Sequence, residues 1–258
     1  MIKKITYIIV IFLSLNFISA NEQIDVGIDE QLGSYLPMDL KFVNSEGDTV
    51  QLKDVIDRPT LLSLVYYECP GICSPMLTEV SWVLDRVDLE PGKDFHAVSL
   101  SFDPNETPEI ASRWKKNYLS SIKREFPTET WTFLTGDSVS IKKFTDAIGF
   151  YYLPAGKDYT HTFALITISP DGKISRYIYG QSYNPFDIKM ALLDAESGKT
   201  IPTVAKVLQF CFSYDPDGRR YTLNITRIIG TLMLIGVFTL VGVLTFKKKK
   251  TIKNKGAI

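Results

Sequence analysis

The spacing of hydrophobic residues predicts strands that alternate with helices along most of the chain. Residues Thr60–Tyr67 form a continuous apolar and β-branched run, which is typical of a strand buried on both faces. Leu77, Val80, Leu84 and Val87 then recur at helical spacing and predict an amphipathic helix. Further strands are predicted at residues 40–43, 49–52, 95–102, 131–134, 162–168 and 174–179, and further helices at residues 107–118, 138–148 and 185–196. This alternation predicts an α/β domain with helices on both faces of a central sheet.

The turn between the first buried strand and its helix contains two of the three cysteines. It reads Glu68-Cys69-Pro70-Gly71-Ile72-Cys73-Ser74-Pro75. We expect Pro75 in the first turn of the helix, with Ser74 as its cap. The N–H groups and the positive dipole end of a helix N-terminus stabilise thiolates. Two neighbouring thiolates form either a disulfide or a site for a soft metal ion, and the spacing leaves both outcomes open.

His161 is the third candidate for this site. It precedes the predicted strand at residues 162–168, which can pair with Thr60–Tyr67 and so bring His161 towards the cysteine turn. Two thiolates and one imidazole favour Cu(I) or Zn(II) over Mg or Ca. Zinc usually takes a fourth ligand, whereas Cu(I) accepts fewer, so the count favours copper. The alternatives are a plain disulfide and a histidine without a ligand role.

Three further residues have ordinary interpretations. His96 lies in an apolar strand with no cysteine near it in sequence, and we expect no binding role for it. Asp103 follows the strand that ends at Phe102 and is expected to form a turn with Pro104; a position facing the site is the alternative. Cys211 is either a buried thiol, a partner in an intermolecular disulfide or an accessory metal contact.

Two apolar segments determine the expected topology. Residues 1–20 combine two lysines, an apolar run and the small residues Ser19 and Ala20, which is typical of a secretory signal peptide cleaved after Ala20; an uncleaved N-terminal anchor is the alternative. Ile228–Phe246 is an uncharged run of 19 residues, long enough for a transmembrane helix. Lys247–Lys250 follow it directly and place the C-terminus in the cytoplasm by the positive-inside rule.

These segments divide the chain into five parts. A signal peptide (1–20) precedes an exported domain (21–200), a juxtamembrane segment (201–227), a transmembrane helix (228–246) and a lysine-rich cytoplasmic tail (247–258). The main domain is therefore expected on the periplasmic or extracytoplasmic side of the cell membrane, where thiols tend to oxidise.

Composition and charge narrow the possible partners. The chain has 258 residues, of which 45% are hydrophobic, and its 29 basic and 29 acidic residues cancel. The lysines at the two ends hide an acidic middle, because residues 21–246 hold 21 basic and 29 acidic residues. An acidic domain disfavours nucleic acid as a partner. Three cysteines and two histidines exclude multi-zinc scaffolds and disulfide-knotted toxins.

Three motifs in register resemble the Sco/SenC family. The segment from Tyr66 to Leu77 is similar to the family's Cys-Pro-x-x-Cys loop, and Val98–Pro104 resembles its strand ending in Asp-Pro. Residues 160–172 resemble its histidine followed by a strand and a Pro-x-Gly turn. The resemblance covers about residues 35–195 and implies a thioredoxin-like fold with a central mixed sheet.

The resemblance also implies a function. Family members bind one copper ion, as Cu(I) or Cu(II), and assist assembly of the copper centre in subunit II of cytochrome c oxidase. Cys69, Cys73 and His161 match the family's ligand positions one by one. The implied partners are that subunit and a protein that donates copper. Three departures are the C-terminal anchor, Ser74 directly after Cys73, and Thr160 where many relatives have Asp.

An enzymatic role is the main alternative. As a thiol–disulfide oxidoreductase, the chain would use Cys69 as the attacking thiol and Cys73 as the resolving one, and would keep the acceptor's cysteines reduced. The two cysteines would then alternate between a dithiol and a Cys69–Cys73 disulfide. A peroxidase ranks last, because peroxiredoxins need Thr three residues before the reactive cysteine and this chain has Tyr66 there.

Overall fold

The structure is a computed structural model, and it describes most of the chain up to residue 201. Described are residues 26–69, 71, 73–156, 158–180, 182–201, 212–215 and 220–223, and singly residues 230, 233, 236, 237 and 239. The chain divides into two compact units, Met1–Ile201 and Pro202–Ile258. The candidate site belongs to the first unit.

Strands and helices alternate in the first unit, as the hydrophobic pattern predicts. Its strands are β1 (Gly27–Ile28), β2 (Lys41–Asn44), β3 (Thr49–Gln51), β4 (Thr60–Val65), β5 (His96–Ser101), β6 (Trp131–Thr135), β7 (Phe150–Tyr151), β8 (Leu153–Ala155), β9 (Asp158–Thr160), β10 (Leu165–Ile168) and β11 (Ile174–Ile178). Its helices are α1 (Leu52–Val55), α2 (Cys73–Leu84), α3 (Pro108–Leu119), α4 (Ser138–Ala147) and α5 (Pro185–Glu196), with a 3₁₀ turn at Thr128–Thr130.

A seven-stranded mixed sheet forms the centre of this unit. Its strand order is β11-β10-β4-β5-β6-β2-β3. The three middle strands β4, β5 and β6 run parallel, and the outer strands pair antiparallel. All six residues of β4 are buried, as expected for a strand covered on both faces.

Helix α3 packs on one face of the sheet. The register of β4, β5 and β6 aligns Ser63, Ser99 and Phe133 in one row. The ring of Tyr118 in α3 stacks on Phe133, with ring centroids 6.5 Å apart. Helix α2 contacts both α3 and α5. The row through Ser63 therefore faces a layer of helices.

The neighbouring row of side chains points to the other face, because side chains alternate along a strand. Pairing through β10 aligns Leu62 of β4 with Tyr177 of β11. The Tyr177 hydroxyl donates a hydrogen bond to the carbonyl of Ile148, directly after α4, at 2.8 Å. Helices therefore lie on both faces of a mixed sheet, and this part of the prediction is confirmed.

Local boundaries differ from the predicted ones where the cysteine turn begins the helix. Helix α2 begins at Cys73, so Ser74 lies inside its first turn and is not the cap. The Ser74 carbonyl accepts a hydrogen bond from the Thr78 hydroxyl at 2.9 Å. Pro75 lies in the first turn as predicted. The strand predicted at Thr60–Tyr67 ends earlier, at Val65, so Tyr66 and Tyr67 belong to the loop that follows it.

Several predicted segments lie outside the described residues. These are the signal peptide (1–20), most of Ile228–Phe246, the lysine-rich tail and Cys211. Within the predicted juxtamembrane segment, β12 (Phe212–Asp215) pairs antiparallel with β13 (Arg220–Leu223). Among the residues that the structure describes, no helix has the length and apolar character needed to cross a membrane.

Candidate metal centre

Cys69 lies in the loop that leaves strand β4. Its amide donates a hydrogen bond to the carbonyl of Tyr66 at 3.3 Å, which forms a tight turn at the end of the strand. Its half-buried Sγ accepts a hydrogen bond from the amide of Gly71, also at 3.3 Å. An N–H donor at sulfur favours the thiolate, the form that binds metals and attacks disulfides.

Cys73 is the first residue of α2, four positions after Cys69. Its backbone therefore lies at a helix N-terminus, as the sequence predicts. Its side chain lies outside what the structure describes, as do Pro70 and Ile72. Its role as a ligand or as a disulfide partner stays a prediction.

His161 lies between β9 and β10, with its ring oriented by a backbone hydrogen bond. Its Nδ1 is 2.8 Å from the carbonyl oxygen of Thr162. A carbonyl only accepts, so Nδ1 carries the proton and the lone pair lies on Nε2, which is the atom that can bind a metal. Burial lowers the pKa of His161, although the hydrogen bond to Thr162 opposes this effect. The neutral imidazole required for metal binding is thereby favoured.

Aromatic rings surround His161. The centroids of Phe102, Tyr66 and Phe150 lie 5.0, 5.8 and 6.3 Å from the imidazole centroid. Tyr159 joins the cluster at 5.3 Å from the ring of Tyr66. The rings restrict the orientation of the imidazole and exclude water from one side of it, which explains the burial effect on its pKa.

The pairing of two strands brings His161 to the cysteine loop. Strand β10 runs antiparallel to β4, with Leu165 opposite Ser63. The four residues from Leu165 back to His161 therefore run alongside the chain that continues from Ser63 past the end of β4 to Tyr66 and Tyr67. The Tyr66 carbonyl accepts the Cys69 amide, and its ring contacts the ring of His161. The predicted pairing of this strand with β4 is confirmed, and the approach of His161 to the two cysteines stays a prediction.

The donor atoms near the end of β4 are suited to a soft metal ion. A sulfur from Cys69 and an imidazole nitrogen from His161 are borderline-to-soft ligands. Among the side chains that the structure describes, no group of three His, Cys, Asp or Glu residues is placed to hold a metal. The side chain of Cys73 is not among those described, and the three-ligand set stays a prediction.

Glu106 is a residue of this site that the sequence reasoning missed. Its side chain accepts hydrogen bonds from the backbone amides of Tyr67 and Glu68, at 2.8 and 2.7 Å, and from the Ser101 hydroxyl at 2.6 Å. Burial raises its pKa, and these three donors oppose the rise. The sequence signal that could have identified it is an acidic residue shortly after the end of β5, the strand that pairs with β4.

Asp103 forms the predicted turn and also interacts with the side chain of Tyr159, whereas the expected lack of a binding role for His96 stays a prediction. The Asp103 carboxylate accepts a hydrogen bond from the amide of Asn105 at 2.9 Å, which is the expected turn. His96 lies opposite Thr60 at the other end of the sheet, with Nδ1 3.2 Å from the Asp57 carboxylate. It is therefore remote from the cysteine loop.

Comparison with known proteins identifies the family of this chain. The SCO1/SenC family model matches residues 29–193. A protein of Stutzerimonas stutzeri, named for an inferred copper-binding role, is 25% identical over 145 residues, which cover 54% of this chain and 67% of that protein.

Solved structures show the same fold. A protein of Aquifex aeolicus VF5 with an inferred electron-transfer role is 33% identical, with a TM-score of 0.59 over 65% of this chain and 95% of that one. Arabidopsis thaliana ScoI, solved with copper bound, is 20% identical, with a TM-score of 0.51 over 60% of this chain and 94% of that one. These likenesses confirm the predicted thioredoxin-like fold.

Proposed function

Because this chain belongs to the SCO1/SenC family, we propose that it binds copper and assists assembly of the copper centre of cytochrome c oxidase. One copper ion is held by the thiolates of Cys69 and Cys73 and by Nε2 of His161. The acceptor is subunit II of the oxidase. The observation that carries this proposal is the contact of Tyr66 with both Cys69 and His161 at the end of β4.

In this proposal copper is delivered to another protein, and the ligands suit an ion that is bound and then transferred. Thiolate and imidazole favour Cu(I) over hard cations. A low coordination number leaves room for a thiol of the acceptor to enter before a ligand of this chain departs. The name of the Stutzerimonas stutzeri relative supports copper over zinc.

We further propose that the domain is exported and anchored by Ile228–Phe246, with the lysine-rich tail in the cytoplasm. This topology holds the copper site on the outer side of the membrane. Membrane fractions washed with alkaline carbonate test the anchor. The full chain is expected to stay in the pellet, whereas a chain lacking residues 228–246 is expected in the supernatant. Release of both chains would contradict the anchor.

An anaerobic Cu(I) titration of the reduced full chain tests the copper site. We expect one tightly bound ion, and a loss of affinity in Cys69→Ser, Cys73→Ser and His161→Ala. The matched controls are His96→Ala and Cys211→Ser, which remove the same residue types elsewhere in the chain. Unchanged affinity in His161→Ala, or equal losses in the controls, would contradict the proposed ligand set.

Thiol–disulfide exchange is a second candidate, favoured by the Gly71 amide at the sulfur of Cys69. In this reaction Cys69 attacks a disulfide of the partner, and Cys73 then displaces the partner thiol. Two electrons pass to the partner, and this chain becomes the Cys69–Cys73 disulfide. Two results together would favour this role over copper delivery. The chain would bind no copper tightly, and its stoichiometric reduction of a partner disulfide would be unchanged in His161→Ala.

A further inference from the structure

Glu106 lies where the backbone ladder between β4 and β5 stops. The backbone hydrogen bond at the end of this strand pair runs from the amide of Phe102, directly after β5, to the carbonyl of Val65, the last residue of β4, at 2.9 Å. After that point the amides of Tyr67 and Glu68 donate to the carboxylate of Glu106. A side chain therefore takes over the role that a neighbouring strand plays along β4.

The carboxylate itself is firmly held. Glu106 is only 8% exposed, and its Oε2 accepts both the Tyr67 amide and the Ser101 hydroxyl, while Oε1 accepts the Glu68 amide. Hydrogen bonds to an ionised carboxylate are stronger than those between neutral groups. The hydrogen bond from Tyr67 is buried and that from Glu68 is partly buried, and a buried amide without an acceptor would be costly, so this side chain stabilises the loop conformation.

The two anchored amides belong to the residues directly before Cys69. The next amide along the chain, that of Cys69, turns back to the carbonyl of Tyr66. We infer that Glu106 is a positioning residue, which fixes the path of the chain into Cys69 and so presents its sulfur to the metal. This inference rests on the proposed copper-binding function, and Glu106 itself is not a ligand in it.

The test compares Glu106→Gln with two other variants of the full chain. The Gln side chain keeps one acceptor oxygen but presents an NH₂ donor to the second backbone amide. Ser101→Ala removes one donor to the carboxylate without a change of charge. Glu109→Gln is the matched control, since it removes the same charge at an exposed position three residues later.

We expect Glu106→Gln to weaken Cu(I) binding by about ten- to a hundredfold, the range seen when the groups supporting a metal ligand are removed. Ser101→Ala is expected to show a smaller loss, and Glu109→Gln none. The thiolate-to-copper charge-transfer absorption of the Cu(II)-loaded protein is expected to shift in Glu106→Gln. This shift distinguishes positioning from stability, because a variant that is less stable but still folded would keep the absorption maximum unchanged.

Two measurements on the metal-free chain keep this inference separate from copper binding. Amide hydrogen exchange at Tyr67 and Glu68, and the alkylation rate of Cys69, are expected to change in Glu106→Gln and not in Glu109→Gln. If the wild-type chain binds no copper but these changes occur, the proposed function fails and the positioning role stands. Unchanged exchange and alkylation in Glu106→Gln, or equal copper losses in both Gln variants, would overturn the inference. If Glu106→Gln does not fold, the same comparison is decided by Ser101→Ala.

Discussion

The ring of Tyr66 lies edge-on to the imidazole of His161, with centroids 5.8 Å apart and planes inclined by 77°. Tyr66 is the first residue after β4, and its carbonyl accepts the amide of Cys69. One residue thus contacts both described members of the candidate site. Its side chain acts on the histidine and its backbone on the cysteine loop.

Replacing Tyr66 is expected to disturb the histidine. Tyr66→Leu removes ring contacts to Phe102, Tyr159 and His161, and we expect the free energy of unfolding to fall by about 1–3 kcal/mol. Copper affinity is expected to fall as well, because the imidazole loses an orienting contact. Urea unfolding and Cu(I) competition titrations measure the two effects. Tyr66→Phe, which keeps the ring, is the control, and an equal copper loss in both variants would contradict a role for the ring.

Stability is expected to decline as the pH falls below the ordinary histidine pKa of 6.5. Burial lowers the pKa of His161 in the folded chain, and burial together with the nearby Arg58 lowers that of His96. The two histidines therefore bind more protons in the unfolded chain than in the folded chain in this range, so their contribution to the free energy of unfolding decreases with decreasing pH. Urea unfolding of the metal-free chain between about pH 7.5 and 5.5 measures the slope.

The double variant His96→Asn, His161→Asn is the control for that slope. It removes both groups that titrate in this way, so its stability is expected to change less over the same interval. An equally steep decline in the double variant would assign the pH dependence to other groups.

Gly149 is expected to tolerate no side chain. Its φ is +66°, and a Cβ there would lie 1.8 Å from the backbone oxygen of Asp29. Gly47 also has a positive φ, of +90°, but has open space around it. Gly47→Ala is expected to cost about 1–2 kcal/mol from backbone strain, and Gly149→Ala clearly more. Denaturant unfolding compares the two, and equal losses would show that the contact with Asp29 relaxes without cost.

The charge of Glu68 is expected to matter little. Its side chain forms an exposed ion pair with Arg113 at 2.7 Å, and such pairs contribute about 0–1 kcal/mol. Glu68→Gln keeps the backbone amide that Glu106 anchors. We therefore expect nearly unchanged stability and copper affinity, measured by urea unfolding and Cu(I) titration. A large copper loss would mean that the negative charge beside Cys69, and not the backbone path, controls binding.

The sequence by itself determined the order of the longer strands and helices, the α/β class of the domain and the two residue types at the site. The short strands β1, β7, β8 and β9 and helix α1 were not predicted. Buried strands such as Thr60–Val65 are continuous apolar runs, and the cysteine turn follows one directly, so both are local patterns that a sequence displays. The resemblance of three spaced motifs supplied the family, which the family model bears out. The helix boundary at Cys73 was misplaced, because a cap depends on backbone geometry that neighbouring residues share.

Only the tertiary structure decided what surrounds the site. The aromatic rings around His161 come from separate parts of the chain, among them Tyr66, Phe102 and Phe150, and no local spacing connects them. The same holds for Glu106, whose acceptor role depends on the place where the ladder between β4 and β5 ends. Contacts between distant residues follow from strand pairing and packing, and a single sequence does not display those registers. The ligand types are therefore a property of the sequence, whereas their orientation is a property of the fold.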